Sequence, residues 1–209
     1  MDGRGGKLQD IELAPESTAL VIVDMENEFC KPSGKKYIGP QAEGAIRGTA
    51  ALLRRCRDAG APVIYVRSVR LPDNPVFTRF GRDHYLIEGT SGPVIVPEVA
   101  PLPGEPVVDK HTHDCFYNTR MDALLASMGI TPETHAIIVT GVVSTVCVYH
   151  AVLGFHVRHF RSVLPLDCTT GPEGAEAFIL EQLGGPAYNY NVTLTTSDRL
   201  RLTPAGVRA

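Results

Sequence analysis

Short apolar runs recur along the chain, separated by stretches with helical spacing. Ala19-Leu20-Val21-Ile22-Val23 is continuous and apolar, the pattern of a parallel strand covered on both faces. Pro62 to Arg67 and His135 to Thr140 read the same way, and Pro106-Val107-Val108-Asp109-Lys110 is a shorter third strand in chain order. Val157 to Leu164 is mixed in pattern, which places it nearer a sheet edge, and Asn191 to Thr196 is the last strand. Gln41 to Ala59 carries Ala45, Ile46, Ala50, Leu52, Leu53 and Cys56 at helical spacing, with Gly60 as the stop. Asn118 is positioned to cap a helix running to Met128, with Met121, Leu124, Leu125 and Met128 on one face and Gly129 as terminator. Thr145 to Gly154 and Glu173 to Leu183 are two further predicted helices, the second ended by Gly184-Gly185. Lys31 to Pro40 is a loop. Ser68 to Glu105, dense in Pro and Gly, is too long for an ordinary connection and reads as a lid or substrate loop, with helical pieces expected around Arg79 to Leu86.

Alternating strands and helices predict an open parallel sheet with helices on both faces. Ligands in such sheets sit beyond the carboxyl ends of the strands, where strand order reverses. Asp24, Lys110 and Cys147 each fall at or just past such an end. Taken singly, Asp24 is a turn residue, Lys110 a solvated lysine and Cys147 an inert core thiol. Together, at matching topological positions, an acid, an amine and a thiol point to chemistry.

Composition narrows the classes. A chain of 209 residues with 44% apolar and 21% charged residues suits one α/β domain with a substantial core, spanning residues 1–209. The formal charge of −3 gives no reason to expect nucleic acid or an anionic membrane as partner. No apolar run has the length of a membrane span, and Met1 to Ser17 lacks the apolar core of a signal peptide, so a cytoplasmic location is expected. The five cysteines are scattered, with no C-x-x-C pair, which argues against a disulfide framework or structural zinc.

The segment Thr140-Gly141-Val142-Val143-Ser144-Thr145-Val146-Cys147-Val148 turns from strand into helix. Such a turn leaves backbone N–H groups unpaired, and a thiol in the first helical turn feels the positive end of the dipole, which favours thiolate. Asp24 is placed to take the thiol proton. A lone carboxylate raises a thiol pKa, and Lys110 offsets this: an opposite charge about 4 Å away is worth ~4 kcal/mol at an effective dielectric of about 20. Cys147 then attacks a carbonyl carbon, with the oxyanion on the N–H groups of Val143 and Cys147. Asp24 passes its proton to the departing amine and afterwards activates water against the thioester, with no metal or organic cofactor.

The sequence resembles the isochorismatase-like cysteine hydrolase superfamily in four segments: Leu20 to Phe29; Gly89-Thr90-Ser91-Gly92 with Pro97-Glu98; Val108-Asp109-Lys110 followed by Phe116 and Thr119; and Thr140 to Val148. The resemblance implies a three-layer α/β/α fold with a six-stranded parallel sheet ordered 3-2-1-4-5-6. It also implies a catalytic triad at Asp24, Lys110 and Cys147, and a non-proline cis peptide between Val142 and Val143. Members often form dimers or tetramers, so a homo-oligomer is expected. Nicotinamidases of the superfamily begin a metal site with Asp-x-His after the second strand. Here Arg67-Ser68-Val69-Arg70-Leu71-Pro72-Asp73-Asn74 carries no histidine, and no metal is expected. Members that cleave the vinyl ether of isochorismate generally lack the cysteine. Keeping Cys147 therefore implies an amidohydrolase of the N-carbamoylsarcosine, ureidoacrylate or biuret type, with a nicotinamidase-like enzyme or a non-catalytic binder as alternatives. His111 to Cys115 departs from the pattern of relatives.

Asn27, Phe29, Arg67, Arg70, Phe116 and Val142 are the candidate substrate contacts. Either arginine is suited to bind a substrate carboxylate bidentately, or else is simply solvated. Phe116 is a pocket wall or a core residue. His111 and His113 touch substrate or belong to a surface loop. Cys56 and Cys115 read as core fillers, and Cys30 is prone to oxidation if exposed.

Overall fold

The computed structural model describes residues 8–185 and 190–204; part of the polar N-terminal stretch therefore lies outside the described residues. Strands are β1 (Ile11–Leu13), β2 (Thr18–Val23), β3 (Val63–Ser68), β4 (Val107–Lys110), β5 (Ala136–Val142), β6 (Arg161–Pro165), β7 (Thr169–Thr170), β8 (Val192–Thr195) and β9 (Leu200–Leu202). Helices are α1 (Asn27–Cys30), α2 (Ala42–Asp58), α3 (Pro75–Thr78), α4 (Met121–Ser127), α5 (Tyr149–His156) and α6 (Ala175–Gly184).

β2 and β5 pair in parallel at the centre, from Thr18 opposite Ala136 to Val23 opposite Gly141, and both are buried along their whole length. That double burial is why their sequences are unbroken apolar runs. Alternation still sorts the side chains. Leu20 and Ile22 join Leu52, Leu53 and Cys56 of α2 in one core, whereas Val21 and Val23 face Met121, Val152 and Phe155 in the other. The result is three layers, with the sheet ordered β4-β3-β2-β5-β6-β8. Counting these main strands along the chain gives the expected 3-2-1-4-5-6. The two-residue β7 makes a seventh strand by pairing with the end of β5.

Several local expectations change. Helical structure in the long connection falls at α3, before Arg79, where Asn74 caps it through Val76 N–H and Pro75 opens it, and in a 3-10 turn at Pro97–Val99. Asn118 does not cap α4; it sits at φ 54, and the Thr119 hydroxyl accepts the Met121 N–H instead. Residues 157–160 finish the turn after α5, so β6 begins only at Arg161 and lies one strand in from the edge. A small parallel pair, β1 with β9, carries no sequence signal, since three residues are too few for a period to show.

The connection between β3 and β4 folds back over the carboxyl ends of the strands. Isolated bridges tie Glu26 to Ile95 and Arg70 to Ile87, and Glu28 Oε2 accepts the Leu86 N–H at 3.3 Å. At the end of β5, Gly141 adopts φ +118, and a Cβ there would lie 1.9 Å from the Val23 carbonyl oxygen. Only glycine lets the two central strands run this close as the chain leaves the sheet.

Candidate active site

The carboxyl ends of β2, β3, β4 and β5 bring one polar cluster together. Asp24, at φ 50, turns the chain out of β2, a conformation aspartate tolerates better than most residues. Lys110 closes β4, and register places it opposite Ser68, the last residue of β3. Lys110 Nζ lies 2.8 Å from Asp24 Oδ2, 2.6 Å from Ser68 Oγ, 3.0 Å from the Thr112 carbonyl oxygen and 3.5 Å from Cys147 Sγ. The Ser68 hydroxyl, accepting from the ammonium, donates to Asp24 Oδ2 at 3.0 Å. Asp24 and Lys110 have no exposed surface and Cys147 keeps 5%.

The three residues singled out in the sequence are therefore contiguous. Ser68 was missed: nothing in its neighbours distinguishes it, and only its place at a fourth strand end, across from Lys110, marks it. Val142–Val143 is a cis peptide, and Cys147 sits in a π-helical turn, Ser144–Val148, that leads into α5.

Burial works to lower the Lys110 pKa, but the adjacent Asp24 carboxylate outweighs it and holds the ammonium charged. For Cys147 the balance runs the other way from the sequence expectation. Burial first, then Asp24, push the thiol well above its ordinary value, and Lys110 opposes them only in part. The resting sulfur is a thiol, because a helix end offers a fractional charge while desolvation acts on a whole one. Asp24 Oδ1 has no hydrogen-bond partner, which leaves an acceptor free for a proton.

Glu26 is a second fully buried carboxyl here. Its Oε1 accepts the Ser68 N–H at 2.5 Å and its Oε2 has no partner. Burial and the adjacent Asp24 charge raise its pKa well above the carboxylate range, against a smaller pull from Lys110. One ammonium serves two carboxyls, and the one paired to it directly is Asp24; Glu26 holds a proton. The folded state thus keeps a proton that an unfolded glutamate releases above about pH 4.3, so this group's contribution to stability falls as pH rises beyond that point. Glu26→Gln is expected to gain stability relative to wild type as the pH rises from about pH 5, by up to ~1.4 kcal/mol per pH unit. Urea denaturation across that range checks it; a constant difference would show Glu26 ionised in the native state.

The candidate substrate contacts separate. Arg67 points away, held by Asp109 in a two-pronged pair at 2.7 Å for each prong. Arg70 is buried, its guanidinium carbon 4.3 Å from the centre of the Tyr85 ring, and its Nε and Nη1 have no partner. Tyr85 also lines a cavity of about 230 Å³ with Asn27, whose Nδ2 donates to the Ser91 carbonyl. Phe29 is partly buried and packs on the α2 side of the core. Phe116 belongs to the opposite core, its ring 5.0 Å from Phe155 edge-on and covered by Arg158, so it supports α5. Val142 is fully buried in the α2-side core, which leaves only its backbone for a ligand.

His111 pins the loop after β4 to the one after β3 through the Val69 carbonyl at 2.7 Å. His113 reaches the buried thiol, with Nδ1 3.7 Å from Cys147 Sγ. The other cysteines are buried and free, and burial pushes Cys30 up to about 12, so it is not oxidation-prone. Among the described residues no three His, Cys, Asp or Glu side chains converge as a metal-ligand set.

Comparison with known proteins places this cluster in context. The isochorismatase domain model matches residues 18–196. The chain is 28% identical over 191 residues to ureidoacrylate amidohydrolase RutB of Azorhizobium caulinodans, covering 79% of this chain and 82% of that protein. Its structure superposes on N-carbamoylsarcosine amidase from Thermoplasma acidophilum with a TM-score of 0.72 and 27% identity, over 87% of this chain and 97% of the other. Nicotinamidase PncA from Bacillus subtilis shares the fold, with a TM-score of 0.72 at 19% identity over 86% of this chain and 99% of that one.

Proposed function

Because the chain belongs to the isochorismatase family, we propose that it is a cysteine-dependent amidohydrolase acting on a small linear amide, ureide or N-carbamoyl compound. The observation that carries this reading is one ammonium held 2.8 Å from a carboxylate and 3.5 Å from a thiol, all nearly shut off from water. As Cys147 sulfur bonds to the substrate carbonyl carbon, its proton passes to Asp24 and the developing negative charge is met by Lys110. The tetrahedral oxyanion takes the N–H groups of Val143 and Cys147; losing one such donor costs about 3–4 kcal/mol. The C–N bond then breaks as Asp24 returns the proton to nitrogen, ammonia leaves, and water hydrolyses the Cys147 thioester. The steps require no cofactor. An ammonia-release screen over short amides, ureides and N-carbamoyl amino acids, with Cys147→Ser as control, tests it; release that persists in the variant would overturn it.

The names of the two relatives, a ureidoacrylate amidohydrolase and an N-carbamoylsarcosine amidase, favour ureido and N-carbamoyl compounds within the class. Arg70 supports a carboxylate on that substrate, since a buried guanidinium with two idle donors is costly until an anion fills it. Arg70→Met is expected to raise KM for a carboxylate-bearing substrate about 10- to 100-fold, as loss of a charged hydrogen bond implies, while its neutral amide analogue changes little. Equal losses on both would remove the assignment. The reading includes a homo-oligomeric cytoplasmic enzyme whose partner is a small molecule; among the described residues no helix is long and apolar enough to cross a membrane.

A further inference from the structure

Asp24 and Lys110 are sealed, and Cys147 beside them keeps a small exposed area. The exposed ring of His113 lies against that sulfur, Nδ1 at 3.7 Å. On its other side stands His150 of α5, ring centres 5.6 Å apart, whose own Nδ1 is committed to the Val146 carbonyl at 2.7 Å. Asp24 has no exposed surface and keeps its one free oxygen, Oδ1, on the sealed side, whereas His113 is exposed, so the side of the thiol that solvent can approach is the His113 side.

We propose that His113 is the general base of the second half-reaction, a catalytic residue that works while the acyl group sits on Cys147. The inference rests on the thioester reading above. As the water oxygen bonds to the thioester carbonyl carbon, its proton passes to His113. As the C–S bond breaks, the electron pair leaves on sulfur, where Lys110 meets it, and His113 returns the proton to give the thiol and the free acid. Asp24 thereby serves acylation from the sealed side and His113 deacylation from the open side.

The groups facing His113 suit a base. Burial, Lys110 from the end of β4, His150 from α5 and Arg70 beyond β3 all lower its pKa; Asp24 opposes them. The imidazole is neutral and able to accept a proton near neutral pH, and it loses that capacity below the ordinary histidine value of about 6.5.

p-Nitrophenyl acetate separates the two halves in the intact protein, since p-nitrophenolate leaves on acylation and acetyl-Cys147 must then be hydrolysed. His113→Gln is expected to give a burst of p-nitrophenolate followed by a steady rate ~10²- to 10⁴-fold below wild type, the usual contribution of a general base. Acetyl-Cys147 accumulates in its mass spectrum, and the acid limb of the wild-type pH profile disappears. A steady rate within about two-fold of wild type, or an acid limb that survives, overturns the role of His113. So does equal slowing of burst and steady rate, which would mark a structural residue. Release identical in wild type and Cys147→Ser overturns instead the thioester reading on which this rests.

Discussion

Replacing Lys110 by methionine is expected to abolish ammonia release and to destabilise the fold together. The ammonium meets Asp24, Ser68, Thr112 and Cys147 from a site with no exposure. Removing one partner of a buried ion pair leaves the other uncompensated, at a cost of about 3–5 kcal/mol. The chemical step loses the charge that meets the developing thiolate, ~4 kcal/mol at an effective dielectric of about 20, on the order of 10³-fold in rate. Adding Asp24→Asn separates the two effects. With both charges gone no buried ion is stranded, so the double variant regains stability over Lys110→Met and remains inactive. Urea denaturation with ammonia assays reads both; a double variant no more stable than the single one would contradict the ion-pair account.

Cys147→Ser carries the largest expected loss in rate, on the order of 10⁴- to 10⁶-fold in kcat. A hydroxyl is a far weaker acid than a thiol, and the proposed first step moves a proton from sulfur to Asp24 beside Lys110. The side chains nearly match in size, and the site stays shut off from water, so KM for the substrate is expected to change little. A serine variant that keeps even a tenth of wild-type turnover would make the sulfur a core thiol rather than a nucleophile.

Much of this was legible in the chain. β2 and β5 are buried on both faces, so apolar continuity alone marks them. The clustering of Asp24, Lys110 and Cys147 is legible because strand ends in a parallel sheet converge, and a residue's distance past a strand end can be counted. Quantities set by burial cannot be counted. The thiol was expected to favour thiolate, and desolvation reverses it. Glu26, two residues from Asp24, has no sequence feature that shows its pKa raised by burial and by the neighbouring carboxylate. Ser68 and His113 depend on cross-strand register and on loop geometry that no period encodes. Arg67 and Arg70 were equivalent candidates, and the structure separates them because Asp109, opposite Arg67 in the β3–β4 register, takes one and leaves the other unpaired.

The proposed turnover forms a covalent bond at one sulfur, that of Cys147. Acid quenching during turnover of an N-carbamoyl amino acid, followed by mass spectrometry of the peptide that contains Cys147, measures it directly. The predicted result is an acyl group on Cys147, increased in His113→Gln and absent in Cys147→Ser. An acyl group on another residue, or turnover retained by Cys147→Ser, would contradict it.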